Sequence, residues 1–368
     1  MTSTAAVALE LAGILPEPPL TYLACESFGE FAKKYAIQRD SRGLVSRLPT
    51  LGLSRGANRA PVVVKRREGA TRHMRGHDAR LGWRWEITMS FKTILVPVEQ
   101  HHLMNSTLRT ALLLGRMFDS YIEGFALPVR VSATFAISEA GAVPIPALEQ
   151  ELAETEKRSR GLFEDFMQMN GVPRGGDTKA VSSDWFENAS GGDQFVGTHG
   201  RVFDVIVLSK PGRGSTGPRM STLEAGLFET GRPVLIAPPS PPSQMGTNVL
   251  IAWNCSTEQA RVTSFAMPIL KRAKRVIVLT VEGGAGVPGP SGEQLCRCLQ
   301  LNEVPAKPLT VGLNGRMTGE AILAHAKSLG CDLLIKGAYT QSRLRQMIFG
   351  GTTRYILSNS ELPVLMAH

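Results

Sequence analysis

The chain has 368 residues, 43% hydrophobic and 20% charged, enough for two or three domains with buried cores. Aromatic residues, at 6%, are too few for the stacking platforms of single-strand nucleic-acid binders. The net charge of +9 is uneven: residues 1–88 hold 14 Lys/Arg against 8 Asp/Glu, and the remainder 27 against 24. The basic character therefore belongs to the N-terminal quarter, and no nucleic-acid partner is expected.

Residues 1–88 show little sustained periodicity. One helix-like piece, SFGEFAKKYAI, precedes an Arg-, Gly- and Pro-rich stretch with no apolar face. This segment reads as a poorly ordered extension. AAVALELAGIL resembles a signal core but has no basic segment before it and contains Glu10, so it is not read as a signal peptide. No apolar run reaches the ~18 residues of a membrane span. Cysteines at 25, 255, 296, 298 and 331 form neither a disulfide framework nor a four-ligand zinc set. They read as reduced thiols of a cytoplasmic protein.

At Met89 the pattern changes. FKTILVPVE (91–99) is a buried-strand run, STLRTALLLGRMF (106–118) is helical, and YIEGFALPV is a second strand. A long helix with a charged face covers 147–171. The strand DVIVLSK (204–210), the helix STLEAGLFETG and the strand RPVLIAPP (232–239) follow. Strands alternating with helices specify a parallel α/β sheet. A Pro/Ser-rich linker spans 240–247. The order then restarts. NVLIAWN (248–254) answers KTILVPVE, and STEQARVTSFAMPILKR is a helix with Ser256 and Gln259 as a capping box and Pro268 as a bend. RVIVLTVE is the next strand, CDLLIKG matches FDVIVLSK, and LPVLMAH matches RPVLIAP. This is an internal duplication of a unit of about 140 residues.

These runs, with a glycine loop after CDLLIKG, resemble the universal stress protein family in a tandem two-domain form, over residues 90–368. The resemblance implies an α/β fold of two tandem doubly wound five-stranded parallel-sheet domains, of the adenine-nucleotide α-hydrolase-like kind. Their limits are 89–239 and 248–368, with residues 1–88 as an extension either disordered or not translated in the cell. It implies a regulatory or protective role in stress.

Nucleotide-binding members carry Gly, two residues, Gly, nine residues, Gly, then Ser or Thr, with an acidic residue at the end of the first strand. Here Gly337 and Gly350 match. Thr340 replaces a glycine and Gly351 the hydroxyl residue, with Thr352 and Thr353 directly after; Asn254 stands at the acidic position. Independently of the family, ligands of doubly wound sheets sit outside the carboxyl ends of the strands where strand order reverses. There a helix N-terminus favours an anion. The expected site is therefore Asn254, Gly337, Thr340, Gly350, Gly351, Thr352 and Thr353. Its expected ligand is ATP or another adenine nucleotide, bound in the millimolar range, with Mg only as the nucleotide's companion. Arg343 and Arg345 read as a solvated loop face.

In the first half Glu99 takes the acidic position, while GRGSTGPRMST (212–222) has lost the spacing to a glycine–hydroxyl pair; this site reads as degenerate. GTHGR (197–201) looks like the glycine loop but precedes its strand, at the wrong end for an anion site. His101 and His102 have no further ligands at metal spacing, and His325 reads as a surface residue. Nothing reads as a dedicated enzyme. The expected partners are unidentified proteins. The last strands of the two halves are expected to pair as an intramolecular pseudo-dimer, with room for a homodimer beyond it. The rival reading is an interaction module of the same fold that binds no nucleotide.

Overall fold

The computed structural model describes residues 90–127, 145–176, 179–187, 189–212, 217–338 and 351–368. The reading of residues 1–88 lies outside them. Among the described residues ten strands form one sheet. They are β1 (Thr93–Val98), β2 (Tyr121–Ala126), β3 (Ser182–Phe186), β4 (Val205–Ser209) and β5 (Val234–Ala237), then β6 (Asn248–Ala252), β7 (Arg275–Glu282), β8 (Ala306–Gly312), β9 (Leu333–Gly337) and β10 (Val364–Ala367). Their order is β3-β2-β1-β4-β5-β10-β9-β6-β7-β8. Every neighbouring pair is parallel except β5 with β10, which run antiparallel with Leu235 opposite Leu365. Each half thus has the same strand order, and the carboxyl edges of the two halves face opposite ways.

Alternation along each strand fills two layers. Ile94, Val96 and Val98 of β1 and Val249 and Ile251 of β6 face one side; Leu95 and Leu250 face the other. The first side is covered by helices α1 (Met104–Phe118), α2 (Ile145–Met169), α5 (Thr257–Phe265), α6 (Met267–Leu270) and α7 (Gly292–Leu301). The second is covered by α3 (Asp193–His199), α4 (Met220–Glu229), α8 (Thr318–Ser328) and α9 (Gly351–Asn359). Parallel strands covered on both faces need apolar residues at successive positions, which is why KTILVPVE and DVIVLSK are continuous runs.

The helix expected after β6 breaks at Ala266, with Pro268 in the first turn of α6; proline has no N–H to continue the ladder. Its capping box is half formed. Ser256 Oγ accepts from Gln259 N at 3.1 Å, but the Gln259 side chain reaches β9 instead of returning to Ser256. A reciprocal box does form at Ser291 and Gln294, opening α7. The linker is packed, with Met245 in the core layer that carries α1 and α6.

The same device starts the leading strand of each half. Asp204 Oδ2 accepts from Lys92 N (2.8 Å), Thr93 N (2.9 Å) and Thr93 Oγ1 (3.1 Å). Asp332 accepts from Asn248 N (2.9 Å), Thr247 N (3.1 Å) and Gln244 Nε2 (3.2 Å). These carboxylates, just before β4 and β9, satisfy amides that begin β1 and β6.

Candidate functional site

Strand order reverses between β6 and β9, which pair through Val249–Leu333, Leu250–Leu334 and Ile251–Ile335. Their carboxyl ends bring the turn at Asn254 and the end of β9 at Gly337 to one edge. Asn254 is half-buried, and its Oδ1 accepts from Ser256 N at 3.3 Å. That engages the side-chain oxygen in the turn and leaves the amide NH2 as the group to offer a ligand. Cys255 follows with φ of 64°, a left-handed conformation uncommon for a side chain other than Asn, Asp or Gly. Its thiol donates to Pro290 O at 3.1 Å, and Trp253 Nε1 donates to the same carbonyl at 2.8 Å.

Gln259, fully buried in α5, ties the helix to β9. Its Oε1 accepts from Gly337 N at 2.7 Å, and its Nε2 lies 3.5 Å from Ile335 O. Gly337 is required by this junction: a Cβ there would stand 2.5 Å from Gln259 N and 2.8 Å from Glu258 C. The space opened by the missing side chain is therefore filled by α5. Gly351, Thr352 and Thr353 form the first turn of α9; Gly351 is exposed, Thr352 half-buried and Thr353 buried. Thr340 and Gly350, with Arg343 and Arg345, lie outside the described residues.

Sequence reasoning passed over Lys336. It is 6% exposed, and its Nζ donates to Gly337 O at 2.7 Å. Burial pushes its pKa down to about 8, and the charge of Glu258 pulls only part of the way back. The signal was available: in DLLIKG a lysine directly follows three apolar residues of a buried strand.

The equivalent edge of the first half is closed by the chain itself. Arg219, just before α4, places Nη2 3.2 Å from Asp193 Oδ1 and 3.5 Å from Glu99 Oε1. His101 Nε2 lies 3.3 Å from Glu99 Oε2, while its Nδ1 accepts from Leu103 N at 3.2 Å. Ser221 and Thr222, in the first turn of α4, donate their hydroxyls to Asp193 at 2.8 and 2.6 Å. Ser209 and Thr107 share a hydroxyl contact of 2.5 Å where the second half has Gly337 and Gln259. The remaining void, lined in part by Glu99, Ser209, Arg219 and Thr222, is about 10 Å³, room for one water at most. The hydroxyl pair that the spacing had written off is thus present as Ser221 and Thr222, but bound to an internal carboxylate.

The other singled-out motifs have structural roles. His199 of GTHGR packs among Phe186, Phe195 and Phe203, and its Nε2 lies 2.7 Å from Glu123 Oε1. Gly197 leaves room for Glu229, which a Cβ would meet at 2.4 Å. His325 is half-buried rather than exposed, with Nδ1 2.8 Å from Ala321 O. A cleft of about 480 Å³ between α2 and β3, lined by Phe163, Met167 and Trp185 among others, contains none of the predicted site residues. No group of three metal-ligating side chains occurs among the described residues.

Residues 297–368 match the model of the universal stress protein family. The chain is 26% identical over 166 residues to universal stress protein Slr1230 of Synechocystis sp., covering 44% of this chain and 57% of the relative. It is 34% identical over 47 residues to stress response protein NhaX of Bacillus subtilis, covering 13% of this chain and 28% of that protein. The aligned regions thus span just over half of the first relative and about a quarter of the second. The crystal structure of a universal stress protein from Archaeoglobus fulgidus aligns with a TM-score of 0.57 at 14% identity, covering 75% of this chain and 98% of that one. That likeness is one of α/β parallel-sheet fold.

Proposed function

The chain belongs to the universal stress protein family, and on that premise we propose that it is a tandem stress protein whose second half binds an adenine nucleotide weakly. Family membership supports a stress-related role. The finer reading is regulatory or protective action in the cytoplasm, through protein partners, without turnover of a substrate. No helix among the described residues is long and apolar enough to cross a membrane.

Two universal stress protein domains, at 89–239 and 248–368, are proposed to pair within the chain. The antiparallel contact of β5 with β10 supports this. The nucleotide reading is carried by one observation: the ends of β6 and β9 meet where strand order reverses, on a sheet whose next helix, α9, begins with Gly351, Thr352 and Thr353. The residues fit a nucleotide unequally. A buried ammonium and a helix N-terminus suit phosphate. Asn254, its oxygen held by Ser256 N, offers a ribose a donor in place of a carboxylate acceptor. Mg would enter only with the phosphates.

Calorimetric titration of the purified chain with Mg-ATP is expected to give a Kd in the millimolar range. Absence of saturable binding at several millimolar overturns the reading. It would favour the nucleotide-independent interaction module, which the filling of the Gly337 space by α5 also supports.

A further inference from the structure

We propose that Lys336 is the phosphate-binding cation of the second half, its ammonium meeting the phosphates of a nucleotide held at the first turn of α9. This rests on the nucleotide reading above and names a residue for it.

Side chains alternate along β9. Leu334 packs in the layer with Ile322 of α8 and Ile356 and Leu357 of α9, so Lys336, two residues on, projects from the same face. Its Nζ turns toward the carboxyl end of the strand and reaches Gly337 O at 2.7 Å. The ammonium thus lies at the carboxyl end of β9, on the side of the sheet where α9 packs. The amides of the first turn of α9 lack intrahelical partners and carry the positive end of the helix dipole. Two independent features therefore favour an anion in one region.

A buried ammonium has three donors and ordinarily pairs with a carboxylate. Among the described residues Lys336 has one partner, a neutral carbonyl, and no carboxylate at salt-bridge distance. Glu258 acts on it only at longer range. The neighbouring turn has an uncharged amide at Asn254 where Glu99 stands in the first half, so no carboxylate there neutralises the ammonium. The first half shows the alternative. Leu208 occupies the position of Lys336, four residues after the strand-starting aspartate in each half, and the cation there is Arg219, which has two carboxylates, Asp193 and Glu99, at ion-pair distance. The second half keeps its cation and lacks that internal anion. An oxyanion with several acceptor oxygens completes it.

The test titrates the full chain with Mg-ATP, inorganic tripolyphosphate and adenosine, in wild type, Lys336→Met and the exposed control Lys271→Met. Methionine conserves the volume and removes the buried charge together with its one hydrogen bond, to Gly337 O, so the variant is expected to fold. Lys336→Met is expected to weaken Mg-ATP and tripolyphosphate about tenfold or more, with adenosine and the control changing less than twofold. If wild type binds ATP and Lys336→Met binds it equally, this assignment falls and the nucleotide reading stands. If tripolyphosphate binding depends on Lys336 but adenosine and ATP show no base-dependent binding, the anion site stands and the nucleotide reading falls. If wild type binds none of the three, both fall.

Discussion

The two carboxyl edges of the sheet are built on one strand order yet treat charge in opposite ways. In the first half Arg219, Glu99, His101 and Asp193 close on one another around a void of about 10 Å³. In the second, Lys336 is buried against a single carbonyl, and the turn opposite carries Asn254. A buried charge left without an opposite partner is costly. One edge sets carboxylates beside its cation, while the other, on the proposal above, leaves its cation for a ligand. Both halves share one strand order, and the contrast is one of side chains.

The largest expected effect lies at the glycine that distinguishes the two junctions. Gly337→Ala puts a Cβ 2.5 Å from a backbone nitrogen of α5, and backbone cannot swing aside as a flexible side chain can. The cost is expected to be on the order of 3 kcal/mol or more, read as a lower midpoint in urea unfolding, with loss of the Gln259–Gly337 tie. Ser209→Ala at the equivalent place should cost only about 1 kcal/mol, the loss of one hydroxyl contact to Thr107. Equal costs at the two positions would mean that the junctions do not differ as described.

The second effect reverses sign. Lys336 has a folded pKa of about 8, below the usual 10.5, chiefly because burial disfavours the ammonium. Between those values the unfolded chain binds the extra proton, so wild-type stability rises with pH across about 8 to 10.5. Below about pH 8 the penalty is full, of order 3 kcal/mol. Lys336→Met should therefore be more stable than wild type near pH 7, by up to about that amount, with the advantage fading toward pH 10.5. Urea unfolding at pH 7 and pH 10 checks this. An advantage that stays constant between the two pH values would show that it does not come from burying the charge.

The parallel α/β fold was legible because strands covered on both faces must be apolar at every position, as in TILVPV, VIVLS and NVLIA. The edge strands β3 and β8 were not. SSDWF and AKPLTVG lie at the two ends of the sheet, where no full strand covers the outer side (β3 has there only the bridge of Ser183 with Arg174) and polar residues are tolerated; Pro308 needs no ladder hydrogen bond on that side of β8. The candidate site was legible as a place, since the ends of VLIAWN and DLLIKG had to be neighbours in a doubly wound sheet. Its chemistry was not. Gly337 reads in sequence as part of a phosphate loop, whereas its contacts belong to α5. Gln259 reads as half of a capping box, yet it crosses to β9, and only three-dimensional packing decides between a local and a long-range hydrogen bond for one amide. Arg219 and Asp193 are 26 residues apart on different elements, and no spacing rule links them.

The smallest effect tests what the halves share. Asp204 and Asp332 each accept backbone amides that open β1 and β6. Replacing either by asparagine keeps the shape and one acceptor oxygen but removes the charge; at Asp332, where each oxygen accepts a backbone amide, it also turns an N–H toward a backbone N–H, whereas at Asp204 a single oxygen takes all three bonds. A charge-assisted bond reduced to a neutral one is expected to cost about 1 to 2 kcal/mol at each position. The two sites lie at opposite edges of the sheet, separated by three strand spacings (about 14 Å) across β4, β5, β10 and β9 and further by the length of the strands, and share no partners, so the double variant Asp204→Asn/Asp332→Asn should lose the sum within about 0.5 kcal/mol. Urea unfolding of the two single variants and the double variant measures this. Similar single losses that add would mean that the frame is equivalent in the two halves and that only the site chemistry has diverged. A loss confined to one aspartate would place the difference between the halves in the frame itself, at the start of the leading strand, and not at the carboxyl edge where Lys336 and Arg219 stand.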